Sequence, residues 1–220
     1  MTIPSDRLIV SLCQSIYSPT ALIDQWARFD PGLDDGVCYG LRKLAGYDVI
    51  VFRGSVSLQD WVRDLQAMAI STRIGHVHRG FYKGMEHVWA ELRPLLTQPV
   101  IVAGHSLGAA RAAIMCGLMV KDGAPPIRRV VFGEPKPGLR DLADLIKAIP
   151  AASYRNGDDC HHDLVADVPF SFPPLQYVHP TPIVPVFAGP TKALFDGLGP
   201  FAYHAIELYV AALAVQKQEA

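Results

Sequence analysis

Residues 100–119 read VIVAGHSLGAARAAIMCGLM. An apolar, β-branched run breaks at Gly104 and resumes after Ser106 as a stretch of small and apolar residues. The first part has the length and composition of a buried strand, and the second those of a buried helix ended by Gly123. Between them stands G-x-S-x-G, Gly104 to Gly108. A serine on so sharp a strand-to-helix turn must adopt a strained backbone, which lifts its Oγ clear of the sheet. Side chains two positions before and two after would strike the crossing backbone, so glycine occupies both places. The N–H of Leu107 and the positive end of the helix dipole would face the space above Ser106, where an oxyanion could be held. The alternative reading is that Ser106 only caps the helix.

Outward from this stretch the pattern alternates. IRRVVFG (127–133) and ASYRNG (152–157) read as strands, LRDLADLIKAI (139–149) as a helix, and residues 202–216 as a closing helix. Upstream, residues 5–17 form a helix with Leu8, Ile9, Leu12 and Ile16 on one face and Ser5 as its cap. GVCYGLRKLAGYDVIVFRGS (36–55) reads as two strands around a tight turn at Ala45-Gly46. Residues 57–69 and 81–96 read as helices. Strands alternating with helices imply a mostly parallel central sheet covered on both faces, with functional groups at the carboxyl ends of the strands. The fold class expected is α/β, as one domain over residues 1–220.

Composition narrows the function. The chain has 220 residues, 50% hydrophobic and 19% charged, which is a globular balance. Twenty basic and 21 acidic residues give a net charge of −1. With no basic stripe, nucleic-acid binding has no electrostatic support. No apolar run approaches the roughly 20 residues that span a bilayer. The first residues lack a basic start followed by an unbroken apolar core, and the four cysteines are scattered. Both features predict reduced thiols in a cytoplasmic protein.

A nucleophilic serine needs a base and a group to orient that base. On a sheet of this kind the order is Ser, then Asp or Glu, then His. Only His161, His162, His179 and His204 follow Ser106. His204, in FAYHAIELYV at the start of the closing helix, can reach back over the sheet edge and is the expected base.

At this point the sequence resembles the class 3 lipases, the fungal-lipase-like branch of the α/β hydrolases. Four blocks carry the resemblance: VIVFRGSVSLQDWVRDL (49–65), VHRGF (77–81), VIVAGHSLGAA (100–110) and VVFGEPKPG (130–138). It implies an α/β-hydrolase fold and hydrolysis of lipid or acylglycerol-type esters, with Ser106 as nucleophile and His204 as base. It also implies an oxyanion hole from the N–H groups of Ser55 and Leu107, and a lid at about residues 57–69 carrying Trp61. The family's acid falls on one of two residues. Counting three positions on from Asn156 selects Asp159. Counting back from LVADVP selects Asp163, which is preferred because Val165, Val168 and Pro169 all agree; Asp158 and Asp167 stand outside the pattern. Ala109 replaces a second glycine common in the family. No metal or organic cofactor is required by such chemistry. The partner expected is an ester or lipid substrate at a lipid–water interface. The same triad would also serve a short-chain esterase or an acyltransferase, and a non-catalytic lipid-binding or partner-binding relative is the remaining alternative.

Overall fold

The computed structural model describes residues 2–18, 25–32, 36–55, 68–158, 160–171 and 173–215. The elements in chain order are helix α1 (Asp6–Ser15) and strands β1 (Arg28–Asp30), β2 (Tyr39–Leu44), β3 (Tyr47–Phe52), β4 (Ala69–Thr72) and β5 (Gly75–His78). Next come helices α2 (Arg79–Tyr82) and α3 (Met85–Leu92), strand β6 (Val100–His105), helix α4 (Leu107–Lys121), strand β7 (Arg128–Phe132), helix α5 (Arg140–Ile146) and strand β8 (Ala151–Asn156). Strand β9 (Ile183–Val186), helix α6 (Lys192–Leu198), a 3-10 turn at Gly199–His204 and helix α7 (Ile206–Val215) complete it.

The main sheet runs β1-β2-β3-β6-β7-β8-β9. The hairpin side is antiparallel, and every pairing from β3 to β9 is parallel. Parallel strands need crossovers that cover both faces, and two apolar layers result. One holds α4 with α3, Phe81 and Ile74, and the other holds α1 and α7. Every residue of β3 and β6 is buried, including Asp48, whose carboxylate accepts the N–H groups of Thr97 and Gln98 and pairs with Lys43. Helix α4 is buried nearly all round, which explains its lack of a polar face. Its small residues let it lie close on the sheet: a Cβ on Gly108 would overlap the carbonyl oxygen of Phe52. Among the described residues, no helix is long and apolar enough to cross a membrane.

The structure corrects several local expectations. Helix α1 is capped by Ser5, whose side chain accepts the N–H of Leu8, but its buried face is Ile9, Val10, Cys13 and Ile16. Leu8 is 42% exposed, so the stripe is turned from the expected one by the contact with α7. The helix expected over 81–96 is broken at Gly84, which takes a left-handed conformation open to glycine. The expected helix 57–69 cannot reach its last residue, because Ala69 opens β4. Residues 56–67, with Leu58, Trp61, Val62 and Leu65, lie outside the described residues. His204 ends a 3-10 turn ahead of α7 and does not begin the closing helix. Strands β1, β4 and β5 and helix α6 were not anticipated.

Candidate active site

Strand β6 ends at His105 and helix α4 begins at Leu107, so a single residue, Ser106, makes the turn. Its φ of 61° and ψ of −133° are the only positive-φ backbone of a non-glycine among the described residues. Two close approaches impose that shape. A Cβ on Gly104 would overlap the carbonyl of Gly108, and one on Gly108 would overlap that of Phe52. The N–H of Ser106 is held by the carbonyl of Phe132 at 3.0 Å. Its side chain makes no capping hydrogen bond. The buried Oγ has no hydrogen-bond partner among the described residues.

Across the carboxyl edge of the sheet, Nδ1 of His204 lies 2.6 Å from Oδ2 of Asp163. Both side chains are buried, at 3% and 0% exposure. Because the carboxylate can only accept, Nδ1 carries the proton, and Nε2 presents a lone pair. That Nε2 is also buried without a partner among the described residues. Asp163 caps the 3-10 turn Leu164–Asp167, its Oδ1 accepting the N–H of Val165 at 2.9 Å. Its Oδ2 accepts a second bond, from the hydroxyl of Tyr209 on α7. Burial alone would raise the Asp163 pKa. The imidazole charge and the donors from His204, Tyr209 and Val165 outweigh it and hold the carboxyl below its usual range.

Three contacts bring the serine turn and the imidazole together. The ring of His105 stacks on that of His204 at 4.6 Å and 26°. Nε2–H of His105 donates to the carbonyl of His204 at 2.8 Å. Gly133, at φ 57°, leaves the space that the pair occupies, since a Cβ there would lie 2.7 Å from Cε1 of His204. Asn156 holds the same segment by donating from Nδ2 to the carbonyls of Ala188 and Tyr203 at 3.0 Å. Ser55 follows Gly54, where a Cβ would come within 2.7 Å of the Ser106 Cβ. The Ser55 turn thus lies against the serine, and Leu107 contributes a first-turn N–H with no partner inside the helix.

The other candidates go elsewhere. His162 pairs with Asp167 through Nε2 at 2.9 Å, and His179 donates from Nε2 to the carbonyl of Ala166 at 2.8 Å. His161 is exposed, with its ring 6.4 Å from Tyr203. Asp158 accepts the N–H groups of Cys160 and His161 in a local turn. Asp159 lies outside the described residues. Sequence reading missed His105, Tyr209, Gly133 and the roles of Asn156 and Gly54. The visible signals were an aromatic residue in the helix after His204 and the glycine of VVFGEP.

A serine on a strained strand-to-helix turn of a mostly parallel sheet, with a buried His–Asp pair at the same edge, defines an α/β-hydrolase fold. The family model described as Lipase (class 3) matches residues 49–172, and the chain belongs to that family. A stretch of 125 residues is 29% identical to secreted mono- and diacylglycerol lipase 1 of Fusarium solani. It spans 50% of this chain and 37% of that relative's length. Among solved structures, Rhizomucor miehei triacylglyceride lipase aligns with a TM-score of 0.62 at 18% identity, over 83% of this chain and 77% of that one. A triacylglycerol lipase described as having a serine protease triad aligns at 0.65 and 17% identity, over 90% of this chain and 89% of that one. These structural likenesses show a shared fold.

The Fusarium solani relative is a secreted protein, which overturns the expectation of a cytoplasmic location. The physical reason lies in the thiols. Cys13, Cys38 and Cys116 are buried, and a buried thiol is sealed from oxidants. Their scatter therefore reports packing and not compartment.

Proposed function

We propose that the chain hydrolyses acylglycerol-type carboxylic esters through an acyl-enzyme on Ser106. The observation that carries this reading is the buried His204–Asp163 pair, whose Nε2 has no hydrogen-bond partner among the described residues, at the same sheet edge as a serine forced onto a strained turn. Family membership and the mono- and diacylglycerol lipase relative support the substrate class. In the reaction, Nε2 of His204 takes the Ser106 proton as Oγ attacks the ester carbonyl. The N–H groups of Ser55 and Leu107 receive the tetrahedral oxyanion. His204 then passes the proton to the departing alcohol, and later activates the water that releases the acid. Asp163 keeps the proton on Nδ1 and stabilises the imidazolium.

The test is labelling by a fluorophosphonate, read by mass spectrometry, together with turnover of mono- and diacylglycerols and aryl esters of increasing acyl length, with and without micelles. A single adduct on Ser106, lost in S106A along with turnover, is expected. Folded protein that takes no label would overturn the hydrolase reading in favour of a binding role. Flat, low rates on long acyl chains would remove the acylglycerol assignment and leave a short-chain esterase.

A further inference from the structure

We infer that Tyr17, on the segment after α1, is a positioning residue that couples the oxyanion turn to the backbone carrying the imidazole. This rests on the proposed roles of Ser106 and His204. The N–H of Gly54 donates to the Tyr17 oxygen at 3.0 Å. The Tyr17 hydroxyl and Nδ1 of His105 are 2.7 Å apart, and Nε2 of His105 is 2.8 Å from the carbonyl of His204. A carbonyl accepts only, so Nε2 of His105 carries the proton and Nδ1 must accept from the tyrosine. Three hydrogen bonds therefore run in one direction, from residue 54 through residues 17 and 105 to residue 204. Such chains polarise one another and rigidify what they join.

Each link sits where a small movement would reach the chemistry. A Cβ on Gly54 would overlap the Tyr17 hydroxyl and lie 2.7 Å from the Ser106 Cβ, so glycine, tyrosine and serine are mutually packed. With its N–H bound to Tyr17, Gly54 is held against Ser106, and Ser55 follows it directly in the chain. At the far end the chain holds the main chain of His204 while Asp163 holds its ring. Burial lowers the pKa of His105 to about 3, so the ring stacked on His204 stays neutral and adds no repulsion to the imidazolium. Tyr17 lies before the stretch matched by the family model.

The test is Tyr17→Phe, which removes the hydroxyl and keeps the ring. Misplacing a catalytic group by a fraction of an ångström typically costs about ten- to a hundred-fold in rate. A fall of that size is expected in kcat on an aryl ester and in the fluorophosphonate labelling rate, with KM within about twofold. The label should still be found on Ser106. In wild-type protein, nitrogen NMR should show His105 as the neutral Nε2–H tautomer down to about pH 4, a readout independent of whether the variant folds. Wild-type kcat and labelling rate in Y17F would overturn the inference, as would the Nδ1–H tautomer in wild type. A wild-type chain that never labels at Ser106 removes the hydrolase reading itself, and this role with it. Labelling with an unaffected Y17F removes only the role of Tyr17.

Discussion

His204 and Asp163 meet at 2.6 Å across 41 residues of sequence, and the same carboxylate oxygen also accepts the Tyr209 hydroxyl. The pair is fixed from three sides: by the 3-10 cap at Val165, by α7 and by the empty side-chain space of Gly133.

Asp163→Asn should therefore reverse the imidazole's orientation preference, because an amide can donate to Nδ1 and favour the wrong tautomer. A fall in kcat of about ten-thousandfold is expected on an aryl ester, as in other Ser-His-Asp sites. Asp159→Asn should stay within a few-fold of wild type. The reverse ranking would move the acid to Asp159.

Tyr209→Phe removes one of the donors that depress the Asp163 pKa and leaves the N–H of Asn156, which the hydroxyl accepts at 3.2 Å, without that partner. A buried donor left unmade costs about 1–3 kcal/mol, which urea denaturation would read. The pH dependence has a definite sign. A carboxyl depressed in the folded state contributes stability above its unfolded pKa and loses it as pH falls through the folded value. Without Tyr209 that folded value rises, so the acid-unfolding midpoint of Y209F should move to higher pH.

His105 supplies a second pH window. Its folded pKa near 3 lies below the ordinary 6.5, so the unfolded chain binds its proton first. Its contribution is complete above about pH 6.5 and declines as pH falls toward 3, with a slope of roughly 1.4 kcal/mol per unit. Stability curves at pH 7, 6, 5 and 4 would show this, and His105→Gln should flatten the slope across that interval. An identical slope in the variant would mean that His105 is already charged in the folded protein.

Two glycines separate crowding from backbone strain. Gly108→Ala would drive a methyl into the Phe52 carbonyl, where backbone cannot yield, so a loss of roughly 3 kcal/mol or more is expected. Gly123, at φ 71° with nothing near its Cβ position, should lose only about 1–2 kcal/mol as alanine, from the left-handed backbone alone. Thermal or urea midpoints of the two variants measure the difference.

The legible parts of this chain were those whose periodicity is produced by burial on both sides. Strand β6 and helix α4 are apolar because they lie inside, and their junction needs two glycines for steric reasons that spacing alone conveys. Ser106 and His204 stand out in the sequence because one lies in G-x-S-x-G and only four histidines follow it. The hydroxyl contacts of Tyr17 and Tyr209 could not be read, because a tyrosine beside or within an apolar helix looks the same in sequence whether its hydroxyl meets water or a buried polar group. His105 stood in a variable place of G-x-S-x-G and read as a spacer. The β4-β5 hairpin was missed because AIST and GHVH are too short to show alternation, and its pairing is set by tertiary context.

Ser106→Gly should raise the melting temperature while abolishing turnover, since glycine occupies φ 61°, ψ −133° without the penalty of about 1–3 kcal/mol that a side chain incurs there. The calorimetric gain and the kinetic loss would be read on one sample. Ser106→Ala separates the two effects, because it loses the hydroxyl and keeps the Cβ.

The torsion angles of Ser106 set durability and usefulness against each other at a single codon. A lineage screened for heat tolerance alone would drift to glycine there and grow sturdier as it went silent. Thermostabilising work on this chain should therefore hold that codon fixed and look for its gains on the far side of the sheet.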